Sequence, residues 1–397
     1  MKRLASSLVL VLVLDSSSPA VTQETSNLST LQPTAGVDPS LANEARAAIQ
    51  RGTDWLLAQQ NEDGHWSSAD YPALTALPLW ALLKGGVTEG DAVERATKFI
   101  LGTVNEDGSI CREPAEKKKG GGLCNYNTAL CMVALHALGD PVINTQVLKA
   151  RHYLAGSQHF GSDVYHGGMG YDAENDRPYA DLSNSYMSYE AMRLTQDLED
   201  LRADGDKPAD LDWAAARQFV SRVQNLPGSN DQPWASDAPE ERGGFAYDPT
   251  ATKAGTYTNE SGKIVLRSYG SMTYAGLLSF IYANVDKSDE RVTSAFDWAS
   301  KHWTLEENPG MGSEGQYYFY NVVAKALASY GQDVITLADE RQINWRNELI
   351  RKLVNLQKID AKSGAGYWVN EANRWMEADP VLVTSYTLLA LEIALGD

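Results

Sequence analysis

Two kinds of helical segment alternate along the chain from residue 41 onwards. Segments of the first kind have one apolar and one polar face, as in residues 45–60, where apolar residues recur at helical spacing. Segments of the second kind are apolar nearly all round; residues 126–138 read YNTALCMVALHAL and residues 381–395 read VLVTSYTLLALEIAL. A helix without a polar face must be buried on every side. The pattern therefore predicts half-exposed outer helices that alternate with buried inner helices.

The alternation belongs to a sixfold repeat. Each copy combines an aromatic residue on the outer helix, a loop that contains Gly, and an inner helix; a Gln five residues after the aromatic residue marks the register in the pairs Trp55/Gln60, Tyr153/Gln158 and Phe219/Gln224. An open stack of such units would need polar capping repeats at its ends, whereas a closed ring does not. We therefore predict an all-α protein, an α/α toroid of six helical hairpins, whose roughly twelve helices form two concentric rings.

One segment, residues 226–268, interrupts the repeat. Within it, residues 255–258 and 263–269 flank the turn-forming residues 259–262, which predicts a small β-hairpin. The segment is rich in aromatic residues: Trp234, Phe245, Tyr247 and Tyr257. Because it joins an outer to an inner helix, on the same side as the other such loops, we expect it to lie over the mouth of the ring. The alternative is an insertion that packs against the outer wall.

The N-terminal residues have the pattern of an export signal. Lys2 and Arg3 precede the apolar run 4–14, and small residues end the segment at Ala20. This pattern predicts a signal peptide over residues 1–20, with a buried N-terminal helix or strand as the alternative. Residues 21–40 are rich in Thr, Ser, Gln and Pro and are predicted to form a flexible linker before a toroid over residues 41–397. The protein is therefore expected to be secreted or periplasmic.

The formal net charge of −18 bears on the choice of partners. Nucleic acids and anionic membrane surfaces both bind basic patches, so we expect neither as a partner. No segment after the N-terminal one is long and apolar enough to predict a membrane span. The remaining expectation is a small-molecule, lipid or glycan ligand, and the sequence leaves the oligomeric state open.

The chain has three cysteines, Cys111, Cys124 and Cys131. Cys111 and Cys124 flank a loop rich in Lys and Gly, and in an exported protein they are predicted to form a disulfide. Cys131 follows on an apolar helix and is expected to lie in the core. The cysteines form no C-x-x-C pair, so we predict no metal site, and no motif predicts a cofactor.

The first copy, R-G-T-D-W-L-L-A-Q-Q-N-E-D-G-H-W from Arg51 to Trp66, resembles the QW repeat of the prenyltransferase/squalene-oxidase type. That repeat marks squalene–hopene and oxidosqualene cyclases and, in weaker form, the β subunits of protein prenyltransferases. The resemblance extends over residues 41–397 in degenerate form. Residues 268–274 and 308–312 are similar to single-toroid secreted bacterial relatives of these enzymes. The resemblance implies a terpenoid-cyclase-like toroid with an isoprenoid or other apolar ligand.

The catalytic motifs of these relatives are missing from the sequence. The D-x-D-D motif with which triterpene cyclases protonate their substrate is absent, and its partial echo, residues 210–213, stands where a helix N-cap is expected. Protein prenyltransferases hold zinc with an Asp, a Cys and a His; here Cys124 has no nearby Asp, and Glu377 and Asp379 occupy the corresponding start in the last copy.

Two function classes therefore remain open. The first is an enzyme that acts on an isoprenoid or on a glycan, and the second is a non-catalytic exported binding or scaffold protein. We favour a toroid that binds an apolar ligand in an aromatic-lined central cavity, since Tyr faces stabilise cations and stack on sugar rings. The residues predicted to contact the ligand lie on or next to inner helices: Tyr126, Tyr186, Arg267, Tyr269, Tyr317, Tyr318 and Tyr386.

Three inner helices are predicted to begin at an Ala-Asp pair, with Asp70, Asp181 and Asp379. Because inner helices of a toroid run in the same direction, these carboxylates are expected to surround one end of the cavity. Carboxylates that converge raise one another's pKa, which would supply a general acid or a cation site. The structural alternative is that each Asp caps its own helix, a role for which Asp is favoured.

Overall fold

The computed structural model describes residues 35–113, 123–172, 178–202, 205 and 207–396. The predicted signal peptide and residues 21–34 of the predicted linker lie outside these residues. The outer helices are α1 (Pro39–Ala58), α3 (Asp91–Leu101), α5 (Asn144–Gly156), α7 (Trp213–Arg222), α9 (Glu290–Lys301) and α11 (Trp345–Leu356). The inner helices are α2 (Ala73–Lys84), α4 (Cys124–Ala137), α6 (Leu182–Leu194), α8 (Gly270–Tyr282), α10 (Gln316–Tyr330) and α12 (Pro380–Leu395). Residues 39 and 40 of the predicted linker are thus helical.

The inner helices close into a ring. Each of them packs against the next one in the order α2, α4, α6, α8, α10 and α12, and α12 packs in turn against α2. The outer helices contact this ring from outside, as α3 does on α2, α5 on α4 and α9 on α8. Helix α1 packs against α11 and α12, so the first outer helix covers the last inner one. The predicted α/α toroid is therefore confirmed.

The two rings differ in burial as the sequence pattern requires. In α2, every residue from Ala73 to Leu83 is buried, whereas in α1 the buried residues fall on one face. Each buried Leu, Ile or Phe side chain contributes roughly 1.5–3 kcal/mol through its removal from water. The core is accordingly a continuous layer that follows the inner ring.

The repeated Gln residues join neighbouring units. The Gln158 amide donates to the carbonyl oxygen of Gly167 in its own loop, at 2.9 Å, and to that of Asp212 at the start of the next outer helix, at 3.1 Å. The same pair of bonds recurs for two other Gln residues, Gln60 and Gln224. Each of these amides therefore bridges its own loop and the next outer helix, and the bridges fix the distance between consecutive units.

A second repeated bond sets each loop against its inner helix. The backbone N–H that follows the loop Gly donates to a hydroxyl about one turn into the inner helix. The donor–acceptor pairs are Trp66–Thr75, Ile110–Thr128, Met169–Ser185, Phe245–Thr273 and Trp368–Thr384. These bonds therefore hold each loop against the first turns of its inner helix.

The irregular segments include three short antiparallel hairpins. Strands β1 (Thr256–Thr258) and β2 (Ile264–Leu266) form the predicted hairpin, in which Tyr257 pairs with Val265. Strands β3 (Val334–Thr336) and β4 (Gln342–Asn344), and β5 (Lys358–Ile359) and β6 (Gly366–Tyr367), form two hairpins that the sequence analysis did not predict. The insertion also has a small core of its own, formed by Trp234, Ala235, Ala246 and Leu266.

Cys111 and Cys124 lie together at the start of α4. Their Cα atoms are 5.2 Å apart and their sulfur atoms are joined in a disulfide. This separation falls within the range that a disulfide requires. Cys131 is a buried free thiol, as expected for a core position.

Candidate ligand-binding cavity

A cavity of about 250 Å³ opens at the end of the ring where the inner helices begin. All six inner helices contribute residues from their first two turns or from the residue that precedes them. Helix α2, for example, contributes Ala73, Leu74 and Leu77, and helix α12 contributes Leu382 and Tyr386. Because the helices run in the same direction, their N-terminal turns meet at this one end of the ring.

The cavity lining is mainly apolar and aromatic. Its aliphatic and Met residues are Ala73, Leu74, Leu77, Leu123, Met272, Met376 and Leu382. Its aromatic residues are Tyr126, Tyr171, Tyr247, Tyr269, Tyr318, Trp375 and Tyr386. The polar residues are Ser183, Asn184, Ser271 and Glu377. Such a lining, with a few polar groups in an apolar wall, is typical of small-molecule sites.

We call the part of the lining formed by the hydroxyls of Tyr126, Tyr318 and Tyr386 the floor of the cavity. The hydroxyl oxygens of Tyr126 on α4 and Tyr386 on α12 are 3.1 Å apart. The Tyr318 hydroxyl lies 3.4 Å from that of Ser183, and its ring contacts the Tyr386 ring edge-on, with 5.9 Å between the ring centroids. Burial raises the pKa of Tyr126 and holds the pKa of Tyr386 well above its ordinary value. These phenols are therefore neutral hydrogen-bond donors at physiological pH.

The rim of the cavity carries two apolar residues in left-handed backbone conformations. Trp375 has a φ of 58° and Met376 a φ of 65°, and their exposed fractions are 44% and 43%. Non-Gly residues in this region cost roughly 1–3 kcal/mol each. Gly315 leaves room for the Trp375 ring, because a Cβ atom there would come within 2.9 Å of that ring. The left-handed turn also directs the chain back toward α10, which brings Glu377 to the cavity.

Glu377 is the carboxyl residue in the lining, and it is 1% exposed. Its carboxylate accepts hydrogen bonds from the backbone N–H of Tyr318, at 2.7 Å, and from the side-chain amide of Asn370, at 2.6 Å. Burial raises its pKa, and the N–H groups at the start of α10 oppose this rise. Since the N-cap residue of α10, Gly315, has no side chain to offer, Glu377 serves as the cap of that helix.

The three predicted Asp residues do not line this cavity. Asp181 is fully buried and caps α6 through the N–H of Asn184; burial raises its pKa to about 6. Asp379 caps α12 through the N–H of Val381, and its carboxylate also accepts from the Ser67 hydroxyl. The expectation that Asp70 begins an inner helix is wrong, because α2 begins only at Ala73, after Pro72. Any catalytic role of these residues stays a prediction.

Four of the seven residues predicted to contact a ligand line the cavity: Tyr126, Tyr269, Tyr318 and Tyr386. The other three lie elsewhere among the described residues. Tyr186 is buried farther along α6, where its hydroxyl lies 3.3 Å from the Lys325 ammonium. Tyr317 packs edge-on against Tyr320, and Arg267 stacks on Tyr257, 4.7 Å from the ring centroid. For Tyr186 and Tyr317, the side chain direction around the helix decides this difference, whereas Arg267 lies in the loop before α8.

Several lining residues were not predicted from the sequence. Tyr171 and Tyr247 each stand two residues after the loop residue that bonds to an inner-helix hydroxyl, Met169 and Phe245 respectively. Their hydroxyls are 2.9 Å apart. The repeated spacing is a signal from which both could have been predicted. Of the four aromatic residues noted in the insertion 226–268, Tyr247 is the one that lines the cavity.

A buried ionic cluster fills the ring farther from the mouth. The Lys325 ammonium on α10 lies 2.8 Å from the Glu190 carboxylate on α6 and 4.6 Å from the centroid of the Trp80 ring on α2. The Tyr282 hydroxyl on α8 donates to the same carboxylate at 3.0 Å. The cluster thus connects four of the inner helices, including α6 and α10, which are not neighbours in the ring.

Neither a metal centre nor a membrane span is found in the part of the chain that the structure describes. Its His, Cys, Asp and Glu side chains form no group of three that is placed to hold a metal ion. Its helices are all too short or too polar to cross a bilayer.

Comparison with known proteins identifies the fold but not a family. No family model matches the chain. An uncharacterized protein of Sinorhizobium fredii, y4kT, is 39% identical over 88 residues, which is 18% of this chain and 17% of the relative. An uncharacterized protein of Bradyrhizobium diazoefficiens, blr2149, is 36% identical over 87 residues, again 18% and 17% of the two chains. The match thus spans about a sixth of the length of these curated relatives.

Among solved structures, the chain is similar to enzymes of two kinds. It matches the GH76 α-mannanase BT2949 of Bacteroides thetaiotaomicron with a TM-score of 0.52 and 13% identity, over 90% of this chain and 98% of that one. An α-1,6-mannanase of Salegentibacter, solved with α-1,6-mannotriose, gives 0.51 and 12%, over 89% and 100%. The type II terpene cyclase MstE of Scytonema gives 0.50 and 12%, over 90% and 99%. At this identity the likeness establishes the toroid fold alone.

Proposed function

We propose that the protein binds an isoprenoid or another elongated apolar ligand in the cavity at the N-terminal end of the inner ring. The observation that carries this proposal is the lining, in which aliphatic, Met and aromatic side chains outnumber the four polar ones. Burying an apolar chain against such a wall contributes about 25 cal/mol per Å² of apolar surface. The fold, which a type II terpene cyclase also has, is compatible with this ligand class.

The cavity volume supports a ligand that enters with one end. Sites for drug-sized molecules usually measure ~300–1,000 Å³, and this cavity, at about 250 Å³, lies just below that range. A linear chain with a small cross-section can enter a space of this volume with one end. The exposed side chains of Trp375 and Met376 at the rim extend the apolar surface outward, where the rest of a longer chain would lie.

We also propose that the protein acts outside the cytoplasm. The sequence of residues 1–20 has the charge and hydropathy pattern of a signal peptide. The disulfide between Cys111 and Cys124 supports the same proposal, because structural disulfides persist in oxidising compartments. The proposed function is binding; if the protein is also an enzyme, Glu377 is the carboxyl residue among those that line the cavity.

Calorimetric titration of the purified protein with geraniol or farnesol in detergent, and separately with α-1,6-mannotriose, tests the proposal. We expect saturable binding of the prenyl alcohols with a negative heat-capacity change, the sign of buried apolar surface. Extraction and analysis of the lipid after incubation reads out turnover in the same sample. Binding of mannotriose alone would instead support a glycan-active toroid, and binding of neither would favour a scaffold protein.

A cavity-filling variant makes the test specific to the site. Ala73→Phe places a ring in the cavity, because the Ala73 side chain lines it, and should abolish binding. Val142→Phe adds the same ring at a residue that is 81% exposed and should bind like the wild type. If Ala73→Phe is folded, by circular dichroism, and binds prenyl alcohols unchanged, the ligand lies elsewhere and the proposal is wrong.

A further inference from the structure

We infer that the ligand carries a hydroxyl or carbonyl oxygen, which accepts a hydrogen bond from the Tyr126–Tyr386 hydroxyl pair at the floor of the cavity. The inference rests on the proposed function, and it specifies the ligand class further: an oxygenated isoprenoid, bound with its oxygen innermost, rather than a pure hydrocarbon.

The Tyr126–Tyr386 pair has two hydroxyl hydrogens, and only one of them can bond within the pair. Each phenol has one O–H hydrogen to donate. The oxygens of Tyr126 and Tyr386 are 3.1 Å apart, so one phenol donates to the other and its hydrogen is satisfied. The second hydrogen has no further acceptor among the residues that the structure describes. Once an apolar ligand displaces water from the cavity, a donor without an acceptor is unfavourable, and a ligand oxygen would relieve it.

A second pair of Tyr residues in the same cavity provides the contrast. The Tyr171 and Tyr247 hydroxyls are 2.9 Å apart. The Tyr171 ring stacks on that of Tyr179, with 5.5 Å between the ring centroids, and burial and the charge of the nearby Asp181 carboxylate raise the pKa of Tyr179. A carboxylate acceptor therefore lies close to this second group of hydroxyls. In the part of the chain that the structure describes, the pair at the floor has no such acceptor, so its second hydrogen is available to a ligand atom.

The unsatisfied hydrogen is within reach of a ligand. Tyr126 and Tyr386 both line the cavity, and Tyr126 is only half-buried. The Tyr318 and Ser183 hydroxyls lie beside the pair and are only loosely bonded to each other, at 3.4 Å. Hydroxyl-bearing residues of α4, α6, α10 and α12 thus line the cavity. The two contacts among these four hydroxyls use two of their four hydrogens.

The rest of the lining determines the orientation of the ligand. Apolar side chains from Leu74, Leu77, Met272 and Leu382 form the walls, and Trp375 and Met376 form the rim. A ligand that places its oxygen at the floor and its hydrocarbon chain toward the rim pairs the free hydroxyl hydrogen and covers the apolar walls. The opposite orientation would leave the floor hydroxyl unpaired and would place the polar end against the exposed indole and thioether.

The test compares two ligands on two sets of variants. The ligands are farnesol and the hydrocarbon farnesene, which share a carbon skeleton; farnesene lacks the hydroxyl and has one further double bond. The wild type should bind farnesol about 5- to 10-fold more tightly, as expected for one hydrogen bond. The double variant Tyr126→Phe/Tyr386→Phe should lose this preference through weaker binding of farnesol, with farnesene unchanged. Tyr386→Phe alone should keep it, because the Tyr126 hydroxyl remains free to donate.

Tyr274→Phe is the matched control, because Tyr274 is a buried residue of the same ring that does not line the cavity. It should bind both ligands like the wild type. If the double variant loses farnesol and farnesene equally, the two Tyr residues act by shape, and the inference fails while the proposed function stands. If the wild type binds neither ligand, the proposed function itself fails. Melting temperatures of all variants establish that they are folded.

Discussion

At the scale of single residues, the same side chain type has different roles in neighbouring repeats. Asp181 and Asp379 occupy equivalent positions and cap α6 and α12. The cap of α10 comes instead from a distant residue, Glu377, because the residue before that helix is Gly315. A carboxylate at a helix start is therefore explained first by its N–H partners. Its distance from the cavity then decides whether it can act on a ligand.

The buried carboxyl of Asp181 should make the stability of the protein depend on pH. Burial raises its pKa to about 6, from an ordinary value of 3.8. Between about pH 4 and pH 6 the folded protein therefore holds a proton that the unfolded chain releases, so stability falls as the pH rises through this window. The full difference is about 3 kcal/mol at ~1.4 kcal/mol per pKa unit, and above about pH 6 it no longer changes.

Urea denaturation of the wild type and of Asp181→Asn at several pH values checks this. Because the amide does not titrate, the difference in unfolding free energy between the two proteins should change by about 3 kcal/mol from pH 4 to pH 7. Val142→Ala, at an exposed residue without a titratable side chain, serves as the control and should keep the wild-type pH profile. A constant difference between wild type and Asp181→Asn across this range would contradict the prediction.

At the scale of structural elements, a few repeated contacts hold the units at a fixed spacing. The loop Gly residues bring their backbone directly against the next outer helix; a Cβ atom on Gly167 would overlap the carbonyl oxygen of Ala215, and one on Gly243 that of Ser294. Both residues also have left-handed φ angles, 91° and 88°. Glycine is thus required twice, by the backbone conformation and by the close approach of a helix.

Two Gly→Ala variants separate these requirements. Gly255 has a φ of 82° and open space around its Cβ position, so Gly255→Ala should cost only the backbone strain, about 1–2 kcal/mol. Gly243→Ala meets the same strain and must also displace α9, so it should cost at least about 2 kcal/mol more. Thermal and urea unfolding measure both. Equal costs would mean that the contact with α9 relaxes freely and does not set the spacing.

At the scale of the whole molecule, polar groups on the axis of the ring connect helices that are not neighbours. Lys325 and Glu190 are 6% and 2% exposed and join α10 to α6. Removing one partner of such a pair leaves a buried charge without compensation, whereas removing both is far less costly. The Lys325–Glu190 pair therefore contributes more to holding α6 and α10 in one fixed arrangement across the ring than to the net free energy of unfolding.

A double-mutant cycle tests this role. Lys325→Met should destabilise the protein by about 3–5 kcal/mol, because Glu190 is then buried unpaired. Adding Glu190→Gln should recover part of that loss, since the amide is neutral and can still accept from the Tyr282 hydroxyl. Arg341→Met removes an exposed ion pair with Asp339 and should change stability by less than about 0.5 kcal/mol. Additive costs for the two buried substitutions would contradict the proposed coupling.

The fold could be predicted from the sequence because its cause is a periodic pattern. Six segments that are apolar all round require burial on every side, and alternation with half-polar segments leaves a closed double ring as the arrangement that satisfies both kinds. The predicted hairpin between residues 255 and 269 was found for a similar local reason, since turn residues separate two short β-prone runs. The Cys111–Cys124 pair was chosen from its position around one loop.

The candidate site could be predicted only in part. Tyr126, Tyr318 and Tyr386 were found because they stand on inner helices, and the inner helices follow from the repeat. Tyr186 and Tyr317 were placed in the site for the same reason and lie outside it. A shift of one residue turns a side chain by about 100° around a helix, which is enough to move it from the ring axis to a helix interface.

What the sequence by itself determined is therefore the architecture: the helix pattern, the sixfold repeat and the end of the ring at which polar and aromatic residues collect. What only the tertiary structure decided is the membership of the cavity. Trp375, Met376 and Glu377 reach it through two consecutive left-handed residues, and Tyr171 and Tyr247 through loops from different units. These contacts join residues far apart in the chain. A periodic pattern carries information about neighbours along a helix, whereas the loop paths that close a cavity depend on packing between units.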